Sequence, residues 1–323
     1  MLQTFYLTHL YPKQMSLYGD MGNILAIKYR LNKLGWQVVY QAVNMGENLP
    51  EITDFYFLGG GQDKEQLLIF EDLLKKKEKL QESLQKGTAM LAICGGYQLL
   101  GESFVTGDKQ IIKGLGILPI RTVAPDKNVK SRCVGNIVLK CLIPEIAGTQ
   151  LIGFENHSGR THFTVPIKAN NNPLRSNSAD QNVDSKTNLR TNSADSDNSN
   201  YNQKNNYLTN YNKSRFIQLE NNSSQDQKIE GLVQPLGQVL VGFGDNTDQI
   251  HEGCVWQNVV GTYLHGPCLA KNPKLTNWLL KRAIITKQNR YKNTLIMPDF
   301  DSLDDQITEM VRSNILKKIA FDN

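Results

Sequence analysis

The sequence contains no long apolar run. No stretch of its 323 residues approaches the ~20 consecutive apolar residues that a membrane-spanning helix requires, and its first residues lack the basic and apolar regions of a secretory signal. We therefore expect a cytoplasmic protein without a membrane span. Because 40% of the residues are hydrophobic and 21% are charged, the chain can bury a substantial core, and we interpret residues 1–323 as a single domain.

Three other kinds of site also lack their signature. The five cysteines are odd in number and show no CxxC spacing, which predicts neither a disulfide framework nor a metal site. No GxxxxGK[ST] phosphate loop occurs, so we expect no nucleotide cofactor in this chain. The net charge of +5 is modest and gives no indication of nucleic-acid binding.

What the sequence does contain is a cysteine at the end of a predicted buried strand. Residues 89–93 read AMLAI, and two glycines follow Cys94 at once. A sharp strand-to-helix turn of this kind exposes a nucleophile, and the first N–H groups of the next helix favour a thiolate. The pattern predicts a cysteine that attacks a carbonyl carbon, with a buried structural cysteine as the alternative.

A candidate base lies much later in the chain. His265 follows a β-rich run and precedes Gly-Pro, so its imidazole is expected at the end of a strand, where the chain turns away. A cysteine nucleophile needs a group that takes its proton and later protonates the leaving group, and a distant histidine can do both. His265 is the predicted base, and a surface or core histidine is the alternative.

Three glycines follow another predicted strand, at residues 54–58. The segment LGGGQD at 58–63 opens a helical pattern, and backbone N–H groups of such glycines can bind a negative oxygen. Together with the N–H of Gly95, they can form an oxyanion hole for a tetrahedral intermediate. A phosphate loop is the competing interpretation, but no Lys-Ser or Lys-Thr follows.

Strands and helices alternate in the first part of the chain. Alternation predicts an α/β fold of three layers, with a mostly parallel sheet flanked by helices and a cleft at the carboxyl ends of the strands. The second half is richer in β structure, and a last helix is predicted at 301–320, packed on the core or, alternatively, on a partner. The predicted strands are 5–8, 37–41, 54–58 and 89–93, and the predicted helices between them are 23–34 and 64–86.

One segment has a different composition. Of the 61 residues from 168 to 228, 16 are asparagine, and few are apolar. Such a segment cannot bury enough apolar surface to offset the entropy of ordering. The composition predicts a low-complexity, disordered insertion at 168–228.

Taken together, these motifs resemble the class I glutamine amidotransferases, and within them the cobyric-acid-synthase-like branch. The resemblance spans most of the chain and implies a flavodoxin-like fold and glutamine as the substrate. It rests on YGDMGN at 18–23, LGGGQD at 58–63, ICGGYQ at 93–98, GLG at 114–116, FENHSGRT at 154–161 and GTYLHGP at 261–267.

The resemblance also implies roles for individual residues. Arg132 matches a position that holds the α-carboxylate of glutamine, for which a guanidinium fork is well suited; an exposed surface arginine is the alternative. The remaining implied roles are Cys94 as nucleophile, His265 as base, Gly60 and Gly95 as oxyanion donors, and Gln98 as a residue of the substrate pocket.

The sequence departs from the wider class beside the histidine. Many members carry a glutamate two residues beyond it, but here that position is Pro267. An acid from elsewhere must then orient the imidazole, or the site works as a dyad; Glu155 is one candidate and a partner chain is another. With no ATP-binding motif in the sequence, the resemblance implies a heterodimer with a separate ATP-dependent ligase. Three other functions compete with this interpretation: an amidotransferase subunit that serves a corrinoid or another carboxylate, a non-catalytic scaffold, and a cysteine hydrolase unrelated to glutamine.

Overall fold

The computed structural model describes residues 3–17, 19–105, 111–125, 132–165, 233–246, 250–292 and 295–321. The predicted insertion at 168–228 lies outside these ranges, so it stays a prediction. Within them, no helix combines the length and the hydropathy that crossing a membrane would require.

Thirteen strands are present in the described ranges, and most belong to one large sheet. They are β1 (Gln3–Leu10), β2 (Trp36–Val43), β3 (Phe55–Leu58), β4 (Ala89–Ile93), β5 (Ser103–Val105), β6 (Ile111–Lys113), β7 (Ile120–Val123), β8 (Cys133–Cys141), β9 (Gln150–His157), β10 (Arg160–Phe163), β11 (Val233–Val241), β12 (His251–Trp256) and β13 (Val259–Thr262).

The large sheet is mixed. Its order is β2-β1-β3-β4-β13-β12-β11-β8-β9, with parallel pairing from β2 to β13 and antiparallel pairing from β13 to β9. All residues of β3 and β4 are buried, as expected for parallel strands covered on both faces. A smaller sheet has the order β10-β7-β5-β6. The predicted α/β class is confirmed, and the sheet is parallel in one half only.

Helices cover the large sheet. Gly35 and Gly87 have φ angles of 77° and 89°, the left-handed conformation that residues following helix ends commonly adopt. The β-rich run before His265 is a hairpin rather than one strand, because Gln257 turns the chain with a φ of 52°. The helices are α1 (Met21–Lys33), α2 (Asp63–Lys75), α3 (Lys77–Gln85), α4 (Gly95–Leu100), α5 (Cys268–Lys271), α6 (Pro273–Tyr291) and α7 (Gln306–Phe321).

Helix α7 corresponds to the helix predicted at 301–320 and packs on the core along one side. Its Ile319 is buried with Val138 of β8 and Ile152 of β9. Its Arg312 is also buried and donates hydrogen bonds to the Gln150 carbonyl and to Oδ1 of Asn272. The helix is therefore fixed to the antiparallel half of the sheet by both apolar and polar contacts.

The three central parallel strands determine where chemistry can occur. β4 lies between β3 and β13, and the carboxyl ends of all three strands lie at one edge because they run parallel. The residues that follow these strands are the glycines at 59–61, Cys94 and the segment from Tyr263 to His265. The fold therefore brings the predicted nucleophile, base and oxyanion loop to one edge of the sheet.

Candidate active site

Cys94 occupies the turn between β4 and α4. Its φ and ψ angles are 48° and −107°, a conformation that residues other than glycine rarely adopt and that concentrates at functional sites. The backbone is held there because Cys94 N–H donates to the Thr262 carbonyl at 2.8 Å, and Gln98 N–H donates to the Cys94 carbonyl at 2.9 Å. The predicted exposed, strained turn is present, with a half-buried thiol at its tip.

The glycines after Cys94 permit a close approach of two loops. A Cβ atom on Gly95 would lie 2.6 Å from the Gly61 carbonyl oxygen, and one on Gly96 would lie 2.7 Å from the Leu58 carbonyl oxygen. Both are backbone atoms that cannot move aside cheaply. The start of α4 therefore packs directly against the glycine loop that follows β3.

His265 reaches Cys94 from the end of β13. Its backbone pairs with that of Phe154, with His265 N–H donating at 2.8 Å and Phe154 N–H donating in return at 3.2 Å. The histidine is 1% exposed. A Cβ atom on Gly60 would lie 3.1 Å from His265 Cε1 and 3.6 Å from Cys94 Cβ, so the predicted nucleophile, base and glycine loop meet at one point.

A carboxylate that the sequence interpretation did not assign lies beside the imidazole. Asp20 is fully buried, and its Oδ1 is 3.8 Å from His265 Nδ1. Burial lowers the pKa of His265, but its interactions with Asp20 and Cys94 outweigh burial and raise the pKa to about 9. At neutral pH the imidazole is therefore protonated, and its positive charge lies between a carboxylate and a sulfur.

The structure gives Gly60 a different partner from the predicted one. Its N–H donates to Asp20 Oδ2 at 2.6 Å, so in this state the group is engaged within the protein rather than directed at a substrate oxygen. The predicted role of Gly95 as a donor stays a prediction.

Glu155, the acid proposed from sequence, lies elsewhere. Its two oxygens accept the N–H groups of Phe243 at 2.7 Å and Gly244 at 3.1 Å, and Oε2 is 3.6 Å from His157 Nε2. The structure thus places Asp20, and not Glu155, against Nδ1 of His265. The sequence interpretation overlooked Asp20 although the residue stands in the motif YGDMGN, because nothing local indicates that this motif meets His265.

Gln98 is held by two other side chains that sequence reasoning missed. Its Nε2 donates to Tyr263 Oη at 3.0 Å, and its Oε1 accepts from Gln66 Nε2 at 3.1 Å. Tyr263 in turn stacks on His157, with ring centroids 3.8 Å apart. These contacts fix the orientation of the Gln98 amide at the wall of the cavity.

A cavity of about 590 Å³ unites these elements, a volume suited to a small ligand. Arg132 lies at this cavity and donates from Nε to Asn156 Oδ1 at 2.5 Å. In the described ranges, no group of three or more His, Cys, Asp or Glu side chains is arranged to hold a metal ion. The predicted site residues that line the cavity are Gly60, Cys94, Gln98, Arg132 and His265.

Behind the cavity, a buried acid stabilises the end of β13. Glu252 accepts the Thr262 hydroxyl at 2.9 Å and the Tyr263 N–H at 2.5 Å. Burial raises the pKa of Glu252 to about 7, although these two hydrogen bonds oppose the change. Because both donors belong to the segment that leads to His265, Glu252 holds the path of the chain into the site.

Comparison with known proteins identifies the family of the chain. The model of the CobB/CobQ-like glutamine amidotransferase domain matches residues 7–211, more than half of the chain. The chain belongs to this family. The amidotransferase match ends before His265, so it is the structure that joins this histidine to Cys94.

Individual relatives agree with the amidotransferase assignment. The chain is 30% identical to "Lipid II isoglutaminyl synthase (glutamine-hydrolyzing) subunit GatD" of Streptococcus pneumoniae R6, covering 98% of this chain and 93% of that protein. It is also 30% identical to the protein of the same name in Staphylococcus aureus N315, covering 85% and 82%. Similarity to a probable cobyric acid synthase of Methanopyrus kandleri is 33% but covers 38% of this chain and 26% of that protein. The resemblance read from the motifs is confirmed.

Proposed function

We propose that this chain is the glutaminase subunit of a two-subunit ligase. It hydrolyses glutamine to glutamate and passes the ammonia to a separate, MurT-like ATP-dependent ligase, which amidates the D-glutamate of the peptidoglycan precursor lipid II in the cytoplasm. The observation that carries the proposal is the meeting of Cys94, on a strained turn, with a protonated His265 at a cavity of about 590 Å³. Near full-length similarity to two proteins named as glutamine-hydrolysing subunits supports it.

Substrate binding uses the two ends of the cavity. The guanidinium of Arg132 binds the α-carboxylate of glutamine, since a planar fork matches a carboxylate. The side chain of glutamine then extends past Gln98 toward Cys94. Held in this way, the amide carbon is presented to the sulfur, and orientation alone contributes substantially to the rate.

The chemistry is that of a covalent acyl-enzyme. Cys94 attacks the side-chain amide carbon as a thiolate paired with the protonated His265, and the oxyanion of the tetrahedral intermediate is stabilised by backbone N–H groups near Gly60 and Gly95. His265 donates its proton to the departing ammonia, which leaves a thioester on Cys94. The now neutral imidazole takes a proton from water, the water attacks the thioester, and glutamate is released.

The pKa of His265 suits the first half of this cycle. A group with a pKa of about 9 is protonated at neutral pH, so the proton needed by the leaving amine is already in place when glutamine binds. A neutral imidazole in the resting state would instead have to acquire that proton from the thiol.

The need for a separate ligase follows from the chemistry of the ammonia acceptor. Ammonia is useful only next to an activated carboxylate, and activation of a carboxylate by ATP requires a nucleotide site, for which the sequence has no phosphate-loop motif. The two GatD proteins, which this chain matches over most of their length, are named as subunits. ATP is therefore proposed to bind the partner, and this chain needs no cofactor of its own.

A corrinoid carboxylate is the second candidate acceptor. The similarity to cobyric acid synthases favours it, but that similarity covers about a quarter of the Methanopyrus protein, which fits a shared amidotransferase part rather than a shared acceptor. A non-catalytic scaffold is disfavoured. The strained backbone of Cys94 and the buried charge of His265 each cost free energy, and a protein that serves only as a scaffold would not require either.

Substitution of Cys94 tests the proposal. Cys94→Ala is expected to abolish glutamate release from glutamine, while Cys141→Ala is the matched control because burial raises the pKa of that thiol to about 11 and it takes no part in the site. Both variants are assayed for folding by circular dichroism and for glutamate release. Unchanged glutamate release from Cys94→Ala would refute the glutaminase function.

The acceptor is tested with the native partner. The chain is co-purified with its ligase and incubated with lipid II, ATP and glutamine, and amidation is followed by mass spectrometry. The complex carrying Cys94→Ala should amidate lipid II only when ammonium chloride is supplied, because ammonia bypasses the glutaminase step. Amidation of a corrinoid but not of lipid II would favour the second candidate.

A further inference from the structure

We propose that Asp20 is the positioning residue that orients His265, in place of the glutamate that many class I amidotransferases carry two residues beyond the histidine. The inference rests on the proposed glutaminase function for its meaning, but its geometry is independent of the substrate.

One oxygen of the buried Asp20 carboxylate is hydrogen-bonded, and the other faces His265. Its Oδ2 is anchored by the Gly60 N–H at 2.6 Å, whereas its Oδ1 is buried and has no hydrogen-bond partner among the described residues. That oxygen lies 3.8 Å from His265 Nδ1. A small rotation about the anchored oxygen brings Oδ1 into hydrogen-bond range, and catalytic hydrogen bonds in free enzymes are often long until substrate binds.

The rest of the same motif holds the two loops together. A Cβ atom on Gly22 would lie 2.7 Å from Pro267 Cβ, so only glycine allows the first turn of α1 to pack on the proline. Asn23 Oδ1 accepts the Leu269 N–H at 2.8 Å. Pro267, the residue at the position of the missing glutamate, is thus the contact that brings the helix carrying Asp20 against the histidine loop.

Other titratable groups near His265 are committed elsewhere or carry the wrong charge. Glu252 is bonded to Thr262 and Tyr263 behind the strand, and Lys271 lies beside Gly266, where a Cβ atom would be 3.2 Å from Nζ. Cys94 is the group on which the imidazole acts. Of the acids that surround the ring in the described ranges, Asp20 is the one whose second oxygen lies at Nδ1.

The test is an NMR titration of the histidine rings in the full-length chain, with the His265 signal assigned by its loss in His265→Asn. The wild-type pKa is expected at about 9. Asp20→Asn should lower it toward the ordinary value near 6.5, because the effect of burial is then opposed by Cys94 alone. Glu155→Gln is the matched acid-to-amide control and should leave the pKa of His265 unchanged.

Steady-state kinetics provide a second readout. Asp20→Asn should lower kcat by about 10²–10⁴-fold, as misorientation of a triad base does, with KM changed less than about threefold because Asp20 does not line the cavity. Asp20→Glu, which retains a carboxylate, should keep the His265 pKa above its ordinary value and recover part of kcat.

A further variant guards against misfolding. Asp20 precedes α1 and its side chain makes no capping hydrogen bond to that helix, so Asp20→Ser removes the charge without removing a helix cap. An unchanged His265 titration in both Asp20→Asn and Asp20→Ser, or an equal shift in Glu155→Gln, would overturn the inference. The titration needs no glutamine, so its outcome is separate from that of the Cys94→Ala assay.

Discussion

Gly60→Ala adds one methyl group at the centre of the site. The new Cβ would lie 3.1 Å from His265 Cε1, 3.3 Å from Asp20 Oδ2 and 3.6 Å from Cys94 Cβ. Gly60 does not have a positive φ, so alanine is compatible with its backbone conformation. The substitution therefore tests the geometry of the site rather than the flexibility of the loop.

The expected loss of activity in Gly60→Ala follows from the two short contacts of the new Cβ. Separations of 3.1 and 3.3 Å are tighter than ordinary van der Waals contact, so the imidazole or the carboxylate must move by a few tenths of an ångström. Overpacking of this kind costs about 1–3 kcal/mol. If that cost falls on the transition state, kcat/KM decreases by about 5–150-fold, and most of the loss should appear in kcat because the displaced imidazole and carboxylate act in the chemical step.

Gly135→Ala is the matched control. Gly135 lies in β8, has no positive φ, and has nothing within 4 Å of the position of a new Cβ. Both variants are assayed for glutamate release and for thermal unfolding, so that a loss of fold is separated from a loss of activity. A Gly60→Ala enzyme with the kcat of wild type would refute the proposed convergence of Gly60, His265 and Cys94, and so would an equal loss in Gly135→Ala.

Two further predictions concern charge. The pKa of His265 in the folded protein, about 9, exceeds its ordinary value of 6.5. The stabilisation that comes from this difference is fully present below about pH 6.5 and is lost as pH rises through about 9. Its magnitude is on the order of 3 kcal/mol. Urea unfolding at about pH 6 and about pH 9.5 should therefore show a larger loss of stability in wild type than in His265→Gln, and an equal loss in both would contradict the shifted pKa. Arg132→Ala should raise KM for glutamine at least about tenfold with little change in kcat, because the carboxylate is bound equally in the ground state and the transition state. Arg132→Lys should recover only part of the lost affinity for glutamine. An unchanged KM in Arg132→Ala would show that Arg132 is a surface residue without a role in binding.

Local sequence patterns were sufficient for the parts of the site that depend on local backbone. Cys94 and the glycines at 59–61 each follow a short buried strand, and strands of that kind can be recognised from the apolar run and the glycines that end it. His265 was identifiable for a related reason, since Gly-Pro marks the end of a strand. The parallel half of the sheet follows from alternation of strands and helices.

The acid beside His265 could not be predicted in the same way. Asp20 reaches the imidazole only because Gly22 packs on Pro267 and Asn23 bonds to Leu269, contacts between distant parts of the sequence. Glu155 was the acid chosen from the sequence, but its carboxylate accepts hydrogen bonds from the backbone N–H groups of Phe243 and Gly244. The antiparallel half of the sheet was also difficult to predict, because β8 pairs on one side with its neighbour in sequence, β9, but on the other side with the distant β11.

The hydrogen bond from Gly60 to Asp20 has a consequence for the timing of catalysis. A carboxylate is a stronger acceptor than the neutral carbonyl oxygen of an amide, so bound glutamine does not compete well for the Gly60 N–H. The oxygen becomes a comparable acceptor only once the sulfur has attacked and negative charge has moved onto it. The Gly60 N–H can therefore reach the oxyanion only by giving up its bond to Asp20, so its contribution to the tetrahedral intermediate is the difference between two charged acceptors, and the Asp20 carboxylate loses one of its anchors at that moment.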